Sequence, residues 1–220
     1  MRTAVIVEPR RHAALHFVLK NFTENLDATW KILIFHGTAN KDFVRGAMSS
    51  LPPDRFLPPI QLEVTNLTIR QYNLLLMHHA FYQCIPTETF LIFQTDSMIL
   101  EPDYLEAFLD YDYVGAPWLN HGVGNGGLSL RKKRKMLDIT HRILPSEMNE
   151  DQHIACQQLI PMKKPPFEMA KRFSVETVFH DRSFGIHVPW KYLRAEDMAR
   201  LIERYPAIQT LIDLQRTDTV

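Results

Sequence analysis

The sequence predicts a single α/β domain in which helices cover both faces of a mostly parallel central sheet. Over the first hundred residues, β-rich apolar runs alternate with segments whose apolar residues recur at helical spacing. The chain has 220 residues, 45% of them hydrophobic and 23% charged, which is typical of a globular protein with one substantial core. No internal repeat or low-complexity tract interrupts this order.

The predicted elements begin with a strand, a helix and a second strand. TAVIVEPR (3–10) is a short β-rich run, HAALHFVLKNFTENL (12–26) has helical spacing, and WKILIFHG (30–37) ends on a glycine. The proline-rich stretch LPPDRFLPP (51–59) cannot continue a helix, so it is predicted to connect to a third strand, IQLEVTNL (60–67).

The next two segments lead to the region where chemistry is expected. IRQYNLLLMHHAFYQCI (69–85) has helical spacing, and TETFLIFQTDSMIL (87–100) is an apolar strand that changes abruptly to polar residues. In parallel α/β sheets, ligands bind at the carboxyl ends of the strands, where Glu8, His36 and Asp96 stand.

Composition narrows the classes of partner. The 25 basic residues balance the 25 acidic ones, so no net field would hold the chain on nucleic acid or on an anionic membrane. We expect the basic run RKKRK (131–135) to form a solvated helix face, with contact to an anionic acceptor as the alternative. No signal peptide or transmembrane segment is recognisable, and a soluble, cytoplasmic protein is expected.

Several familiar site patterns are missing from the sequence. It contains no Walker A loop, no G-x-G-x-x-G after the first strand and no G-x-S-x-G elbow, which disfavours kinase-like ATPases, dinucleotide dehydrogenases and α/β-hydrolases. His12 and His16 are four residues apart but lack the glutamate of zinc hydrolases, so exposed or half-buried helix histidines are expected. Cys84 and Cys156 are predicted to be reduced, buried thiols.

The segment FQTDSMI (93–99) resembles the D-x-D signature of GT-A glycosyltransferases, which stands at the end of an apolar strand. Gln94 replaces the first aspartate and Asp96 is the second. The resemblance implies that Asp96 binds Mn²⁺ or Mg²⁺ and that Gln94 and Thr95 contact a nucleotide-sugar. Such a cation neutralises the charge that accumulates on a leaving nucleoside diphosphate. A turn-forming or helix-capping aspartate is the alternative.

Four later motifs strengthen this resemblance: YDYVGAPW (111–118), NGGLSLR (125–131), NED (149–151) and FGIHVPW (184–190). Over residues 3–193 the series is similar to an uncharacterised family of glycosyltransferase-like domains. The resemblance implies a GT-A-like, Rossmann-like fold with a mixed central sheet, in which residues 1–100 bind the donor, 101–193 bind the acceptor and perform catalysis, and 194–220 form a C-terminal helix.

The implied reaction is transfer of a sugar from a nucleotide-diphosphate donor, expected to be a UDP-sugar, to a hydroxyl of a glycan, protein or small molecule. Asp151 would be the base of an inverting displacement, with Glu150 as its neighbour or substitute; retention is the alternative outcome, and an acidic first helix turn is the alternative explanation of both residues. His187 would be the second metal ligand, with His180 as the other choice.

The remaining implied contacts divide between donor and acceptor. Those to the nucleotide-sugar are Glu8, Arg10, Tyr72 and Asn73, together with Gln94 and Thr95. Those to the acceptor are Trp118, Asn125, Gly126 and Gly127, where the glycines would let a sugar approach the backbone. A core tryptophan and a tight bulge are the structural alternatives on the acceptor side.

Two other functions stay open. A sugar nucleotidyltransferase would share the fold and the metal, although its glycine- and lysine-rich loop after the first strand is missing from this sequence. A catalytically silent carbohydrate- or nucleotide-binding module is consistent with Gln94 in place of the first aspartate.

Overall fold

The computed structural model describes residues 1–119 and 122–217. Its strands are β1 (Arg2–Val7), β2 (Trp30–His36), β3 (Ile60–Gln61), β4 (Thr89–Ile92), β5 (Ser97–Ile99), β6 (Tyr113–Val114), β7 (Pro117–Trp118), β8 (Gly122–Val123), β9 (Ser129–Lys132), β10 (Ser174–Val175) and β11 (Gly185–His187). Its α-helices are α1 (Leu15–Asn25), α2 (Lys41–Met48), α3 (Ile69–Leu76), α4 (His79–Gln83), α5 (Lys133–Arg142), α6 (Glu150–Cys156), α7 (Phe167–Ala170), α8 (Ala195–Arg204) and α9 (Ala207–Thr217). Short 3₁₀ helices span Pro53–Arg55, Pro102–Phe108 and Pro189–Lys191.

The central sheet has the strand order β3-β2-β1-β4-β9-β6. The first four of these strands are parallel, whereas β9 runs antiparallel to both β4 and β6. Side chains alternate between two apolar clusters: Ala4 and Ile6 of β1 join the cluster on one face, and Val5 and Val7 join the cluster on the other. The mixed sheet with both faces covered confirms the predicted α/β class.

The strand order places the functional residues. β1 lies between β2 and β4, so the chain direction of the connections reverses at the gap between β1 and β4. This gap is the usual ligand position of an open α/β sheet. Glu8 directly follows β1, and Gln94 to Asp96 come just after β4.

A small second sheet brings a distant part of the sequence to the same point. It has the order β10-β11-β5, with β11 antiparallel to β5. In this register His187 pairs with Ser97. Because Ser97 follows Asp96, the pairing sets the late histidine beside the strand-end aspartate.

Three predicted elements are shorter or broken. The third strand is limited to Ile60–Gln61, because its partner β2 ends at His36. The predicted helix over 69–85 divides into α3 and α4 at His78, whose Nδ1 accepts from the N–H of Ala80 at 3.3 Å and starts a new helix. The C-terminal helix likewise restarts after Pro206, which has no N–H to continue the first one.

The C-terminal helices pack within the chain, as predicted. Their residues Met198, Leu201 and Leu211 belong to the same buried cluster as Ala4 and Ile6 of β1. Both thiols are free but exposed, so the prediction of buried cysteines was wrong. Within the described ranges, no helix is long and apolar enough to cross a membrane.

Candidate functional site

A cavity of about 570 Å³ opens at the carboxyl ends of β1 and β4. All of the predicted site residues except Trp118 line it, although they come from widely separated parts of the sequence. These residues are Glu8, Arg10, Tyr72, Asn73, Gln94, Thr95, Asp96, Asn125, Gly126, Gly127, Glu150, Asp151 and His187. The fold therefore collects the predicted donor, metal and base residues around one space.

The wall after β1 is built around the buried carboxylate of Glu8. Its Oε1 accepts from the backbone N–H and from Nε of Arg10, both at 2.9 Å, and its Oε2 accepts from Nη2 of Arg10 at 2.8 Å. Asn40 donates to the carbonyls of Glu8 and Arg10 at 2.9 and 2.7 Å. These hydrogen bonds hold the turn together, and the side chain of Arg10 is half exposed.

Asp96 and His187 form the centre of the cavity. Oδ1 of Asp96 lies 3.3 Å from Nε2 of His187, while Nε2 is also 3.1 Å from Oε1 of Gln94. Within the described residues, Oδ1 of Asp96 is buried and accepts no hydrogen bond, and the nearby His187 ring offsets its negative charge. A buried carboxylate oxygen that accepts no hydrogen bond keeps the capacity to bind a cation or a donor.

Glu176, which no sequence motif indicated, completes this group. Its buried Oε1 accepts from Nδ2 of Asn125 at 2.7 Å and lies 3.1 Å from Nδ1 of His187. It stands next to the two-residue strand β10, which is too short to leave a periodic signal. Only the pairing of β10 with β11 brings it opposite His187.

The charges in this group perturb one another. Burial opposes a charge on the His187 ring, but the carboxylates of Asp96 and Glu176 outweigh burial and raise its pKa to about 10. Burial likewise opposes ionisation of Asp96, yet His187, followed by Lys191, lowers the pKa of that carboxyl below its ordinary value. The two groups therefore form an ion pair at neutral pH.

Close backbone approach holds the His187 ring in place. A Cβ atom on Gly127 would lie 2.1 Å from Nε2 of His187, so only glycine permits the ring to pack there. The next residue, Val188, has a φ of 42° and its N–H donates to the carbonyl of Asp96 at 3.0 Å. A β-branched residue in this region is strained by about 1–3 kcal/mol, and such strain concentrates at functional sites.

Asp151 lies on the opposite side of the glycines, in the first turn of α6. Its Oδ2 accepts from the backbone N–H of Gly126 at 3.2 Å, and its Oδ1 accepts from the N–H of Gln152 at 2.7 Å. Each carboxylate oxygen can accept a second hydrogen bond, so Asp151 keeps acceptor capacity toward the cavity. Asn73 orients the same helix by accepting from the N–H of Glu150 at 3.0 Å.

Glu150 has a different environment from its neighbour. Its carboxylate is buried and forms a direct ion pair with the guanidinium of Arg131. Burial raises the pKa of the Glu150 carboxyl, and Arg131 opposes that rise. Because Arg131 occupies one of its oxygens, Glu150 is less available than Asp151, and its role as a substitute for Asp151 stays a prediction.

Other expectations also change. Trp118 does not line the cavity; its ring packs against Gly124 and the apolar cluster beneath, which is the alternative considered above. His12 is buried and lines the cavity, contrary to the expectation of an exposed or half-buried ring, and its Nδ1 accepts from the N–H of Ala14 at 3.1 Å. His180 lies outside the cavity lining, where its Nδ1 is 2.7 Å from the carbonyl of Arg182.

Polar residues that the sequence analysis did not select complete the lining. They include Lys191 and Gln215, the latter donating to the carbonyl of Thr95 at 2.7 Å from helix α9. The positive charge of Lys191 acts on the Asp96 carboxylate, and in the described parts of the chain the hydroxyl of Tyr72 is buried without a hydrogen-bond partner. These groups are available to a ligand with negative charge and hydroxyl groups.

The residues fit a divalent cation that is held partly by its substrate. Among residues 1–119 and 122–217, no group of three or more His, Cys, Asp and Glu side chains forms a ready metal site. Mg²⁺, however, is usually bound through one or two carboxylates together with substrate phosphates in phosphoryl-binding sites. Oδ1 of Asp96 would be such a carboxylate oxygen, and Nε2 of His187, once deprotonated, would be a second ligand, whose imidazole Glu176 would orient as carboxylates do in many metal sites.

The fold is shared with solved glycosyltransferase structures. The chain matches the glycosyltransferase GlyE of Streptococcus pneumoniae with a TM-score of 0.61 at 11% identity, covering 100% of this chain and 65% of GlyE. It matches the galactosyltransferase LgtC, in complex with donor and acceptor sugar analogues, with a TM-score of 0.58 at 10% identity, covering 98% and 95%. These likenesses show the GT-A fold.

A third structure with this fold contains a metal. The mannosyltransferase PcManGT of Pyrobaculum calidifontis, in complex with GDP-Man and Mn²⁺, matches with a TM-score of 0.55 at 14% identity, covering 75% of this chain and 54% of that one. No curated protein matches the chain in sequence. The profile of a family described as "Protein of unknown function (DUF5672)" matches residues 60–187, more than half of the chain, and the chain therefore belongs to the DUF5672 family.

Proposed function

We propose that this protein is a metal-dependent glycosyltransferase that moves a sugar from a nucleoside diphosphate donor to a hydroxyl acceptor. One observation carries the proposal: at the switch point of a GT-A fold, the carboxylate oxygen of Asp96 that accepts no hydrogen bond lies beside His187, and Asp151, bonded to the N–H of Gly126, lines the same cavity. A metal site and an acceptor-capable carboxylate facing one cavity are the two parts that such a transfer needs.

The donor side is assigned to the wall after β1 and to Asp96, His187 and Glu176, which we call the metal group. Asp96 and His187 would hold Mn²⁺ or Mg²⁺, which supplies positive charge to the leaving diphosphate when it is bound. The ammonium of Lys191 lines the same cavity and would bind a phosphate oxygen. Glu8 and Arg10 would contact the nucleoside, and the buried hydroxyl of Tyr72 would donate to it.

The acceptor side is assigned to the glycines and to helix α6. Asn125, Gly126 and Gly127 would form the floor on which the acceptor sugar lies. The carboxylate of Asp151 would take the proton of the acceptor hydroxyl while that oxygen attacks the anomeric carbon from the face opposite the diphosphate. The product would then have inverted anomeric configuration. A UDP-sugar is the first donor to test.

The experiment is a panel of nucleotide-sugars incubated with and without Mn²⁺, with release of the nucleoside diphosphate as the readout. Wild type is compared with Asp96→Asn and Asp151→Asn. We expect one donor to be cleaved only with metal, cleavage to be lost in Asp96→Asn, and transfer to an acceptor to be lost in Asp151→Asn while donor binding persists. Binding of a donor without turnover under any condition would support the silent module instead.

The same panel separates transfer from nucleotidyl chemistry. A nucleotidyltransferase would form the nucleotide-sugar from a nucleoside triphosphate and a sugar phosphate, with release of pyrophosphate. We expect no pyrophosphate release, because the turn after β1 is filled by the Glu8–Arg10 ion pair where those enzymes carry a flexible phosphate-binding loop. Pyrophosphate formation from any triphosphate would reverse this assignment.

A further inference from the structure

Arg131 is one of the largest fully buried side chains, although it begins the basic run RKKRK that the sequence analysis assigned to a solvated face. It is 0% exposed, and its partner Glu150 is 3% exposed. Taking two charges out of water costs more than their attraction returns in many proteins, and apolar replacements are frequently as stable. A buried pair of this kind therefore calls for an explanation beyond stability.

The guanidinium of Arg131 is bonded to several segments at once. Its Nε donates to Oγ of Ser129 at 2.9 Å, and its Nη1 donates to the hydroxyl of Tyr82 at 3.1 Å and to Oε1 of Glu150. Its Nη2 lies 3.5 Å from the carbonyl of Gly126, and the group stacks 5.0 Å from the ring centre of Tyr113. Arg131 thus ties strand β9 to helix α6 and to the glycine turn.

The start of helix α6 and the turn at Gly126 set the position of Asp151, and both contact the guanidinium of Arg131. Glu150 is the residue before Asp151 and the first residue of α6. Gly126, whose N–H binds Oδ2 of Asp151 at 3.2 Å, is packed so closely that a Cβ there would lie 2.9 Å from Oε2 of Glu150 and 3.2 Å from Nη2 of Arg131. Movement of the ion pair would therefore move both neighbours of the Asp151 carboxylate.

We infer that Arg131 is a positioning residue for the transfer reaction: through Glu150 and Gly126 it holds the carboxylate of Asp151 toward the acceptor hydroxyl. The inference rests on the proposed function, because it gives Asp151 the role of base. Arg131 itself lies beneath the cavity floor and does not line the cavity. It acts only through the residues that it binds.

The test replaces the pair without leaving a lone buried charge. The double variant Arg131→Met with Glu150→Leu keeps apolar bulk on both sides, which a merely structural pair tolerates. We expect this variant to fold and to bind the nucleotide-sugar donor with wild-type Kd, but to transfer sugar with a kcat lower by about 100-fold, the usual effect of a misplacement of about 1 Å. Acceptor KM should change far less than kcat.

A second variant should give an intermediate loss of kcat. Arg131→Lys keeps one positive charge, but an ammonium cannot bond Ser129, Tyr82 and Glu150 in one fixed fork. We expect it to retain a kcat between those of wild type and the double variant. If the double variant does not fold, Arg131→Lys decides the question alone, and failure of both to fold would make the pair a folding element and overturn the inference.

Two further variants distinguish failure of the proposed mechanism from failure of the role of Arg131. Arg70→Ala breaks the exposed pair with Glu147, whose atoms are 2.7 Å apart with side chains 70% and 80% exposed, and it should leave kcat unchanged. Asp151→Asn reports on the base itself. If Asp151→Asn transfers normally, the proposed mechanism is wrong; if it is inactive while the double variant keeps wild-type kcat, only the role of Arg131 is wrong.

Discussion

Substitution of Gly127 by alanine tests the geometry of the metal group directly. The added Cβ would lie 2.1, 2.2 and 2.4 Å from three atoms of the His187 ring, where ordinary contacts begin near 3.4 Å. The ring would have to retreat by about 1.3 Å, the difference between 3.4 and 2.1 Å. That retreat would break the bonds from His187 to Gln94 and Glu176 and separate its Nε2 from Asp96.

Two measurements follow from this displacement. Forcing a methyl group into a packed site costs about 1–3 kcal/mol, so the melting temperature should fall by several degrees. Affinity for Mn²⁺ in the presence of a nucleoside diphosphate, measured by calorimetry, should fall by at least about 10-fold, because a displaced imidazole no longer shares a cation with Asp96. The two effects have one cause and should appear together.

Gly46 provides the matched control. It lies inside helix α2, and in the described residues nothing is within 4 Å of a Cβ placed there. Gly46→Ala should therefore raise stability by about 0.5–1 kcal/mol, through the better helix propensity of alanine, and leave metal affinity unchanged. If Gly127→Ala also kept wild-type metal affinity, the assignment of His187 to the metal group would be refuted.

Three other substitutions probe the support of His187, the burial of His153 and the packing of the core. Glu176→Gln should weaken Mn²⁺ affinity by about 10–100-fold while the fold is retained, because it loosens the support of His187; unchanged affinity would remove Glu176 from the site. Burial lowers the pKa of His153, so the contribution of this residue to the free energy of unfolding should decline as the pH falls below about 6.5, where the unfolded chain takes up the proton first. In urea titrations at pH 5–7, wild type should therefore lose stability relative to His153→Gln as the pH falls. Phe22→Ala, which removes a ring stacked 3.8 Å from Phe93, should cost about 3–5 kcal/mol in the same urea titrations, and a loss below about 1 kcal/mol would contradict the described core.

The fold was predictable because its strands are buried on both faces. Continuous apolar runs such as the one in β1 are typical of a covered parallel sheet, and the intervening helical spacing leaves little choice of topology. The positions at which helices break were less accessible. His78 and Pro206 start new helices through local bonding and the missing N–H, and these effects interrupt an otherwise continuous apolar periodicity.

The cavity residues that follow strands could be predicted from the sequence. Asp96 is an example, because the apolar run of β4 changes to polar residues just before it. Residues defined by long-range pairing could not. Glu176 reaches His187 only through the register of the small sheet, and Arg131 is buried only because strand β9 takes its place between β4 and β6. A basic run read by composition predicts a solvated surface, and tertiary pairing overrides that prediction.

Metal-dependent donor binding at Asp96 can be measured by calorimetric titration of nucleotide-sugars into the protein with Mn²⁺ present and with Mn²⁺ chelated, in wild type and in Asp96→Asn. We predict that a nucleotide-sugar binds wild type with Mn²⁺, binds far more weakly without it, and binds Asp96→Asn weakly in both conditions. Failure of every nucleotide-sugar to bind wild type in Mn²⁺, or binding that neither the metal nor Asp96→Asn changes, would contradict this prediction.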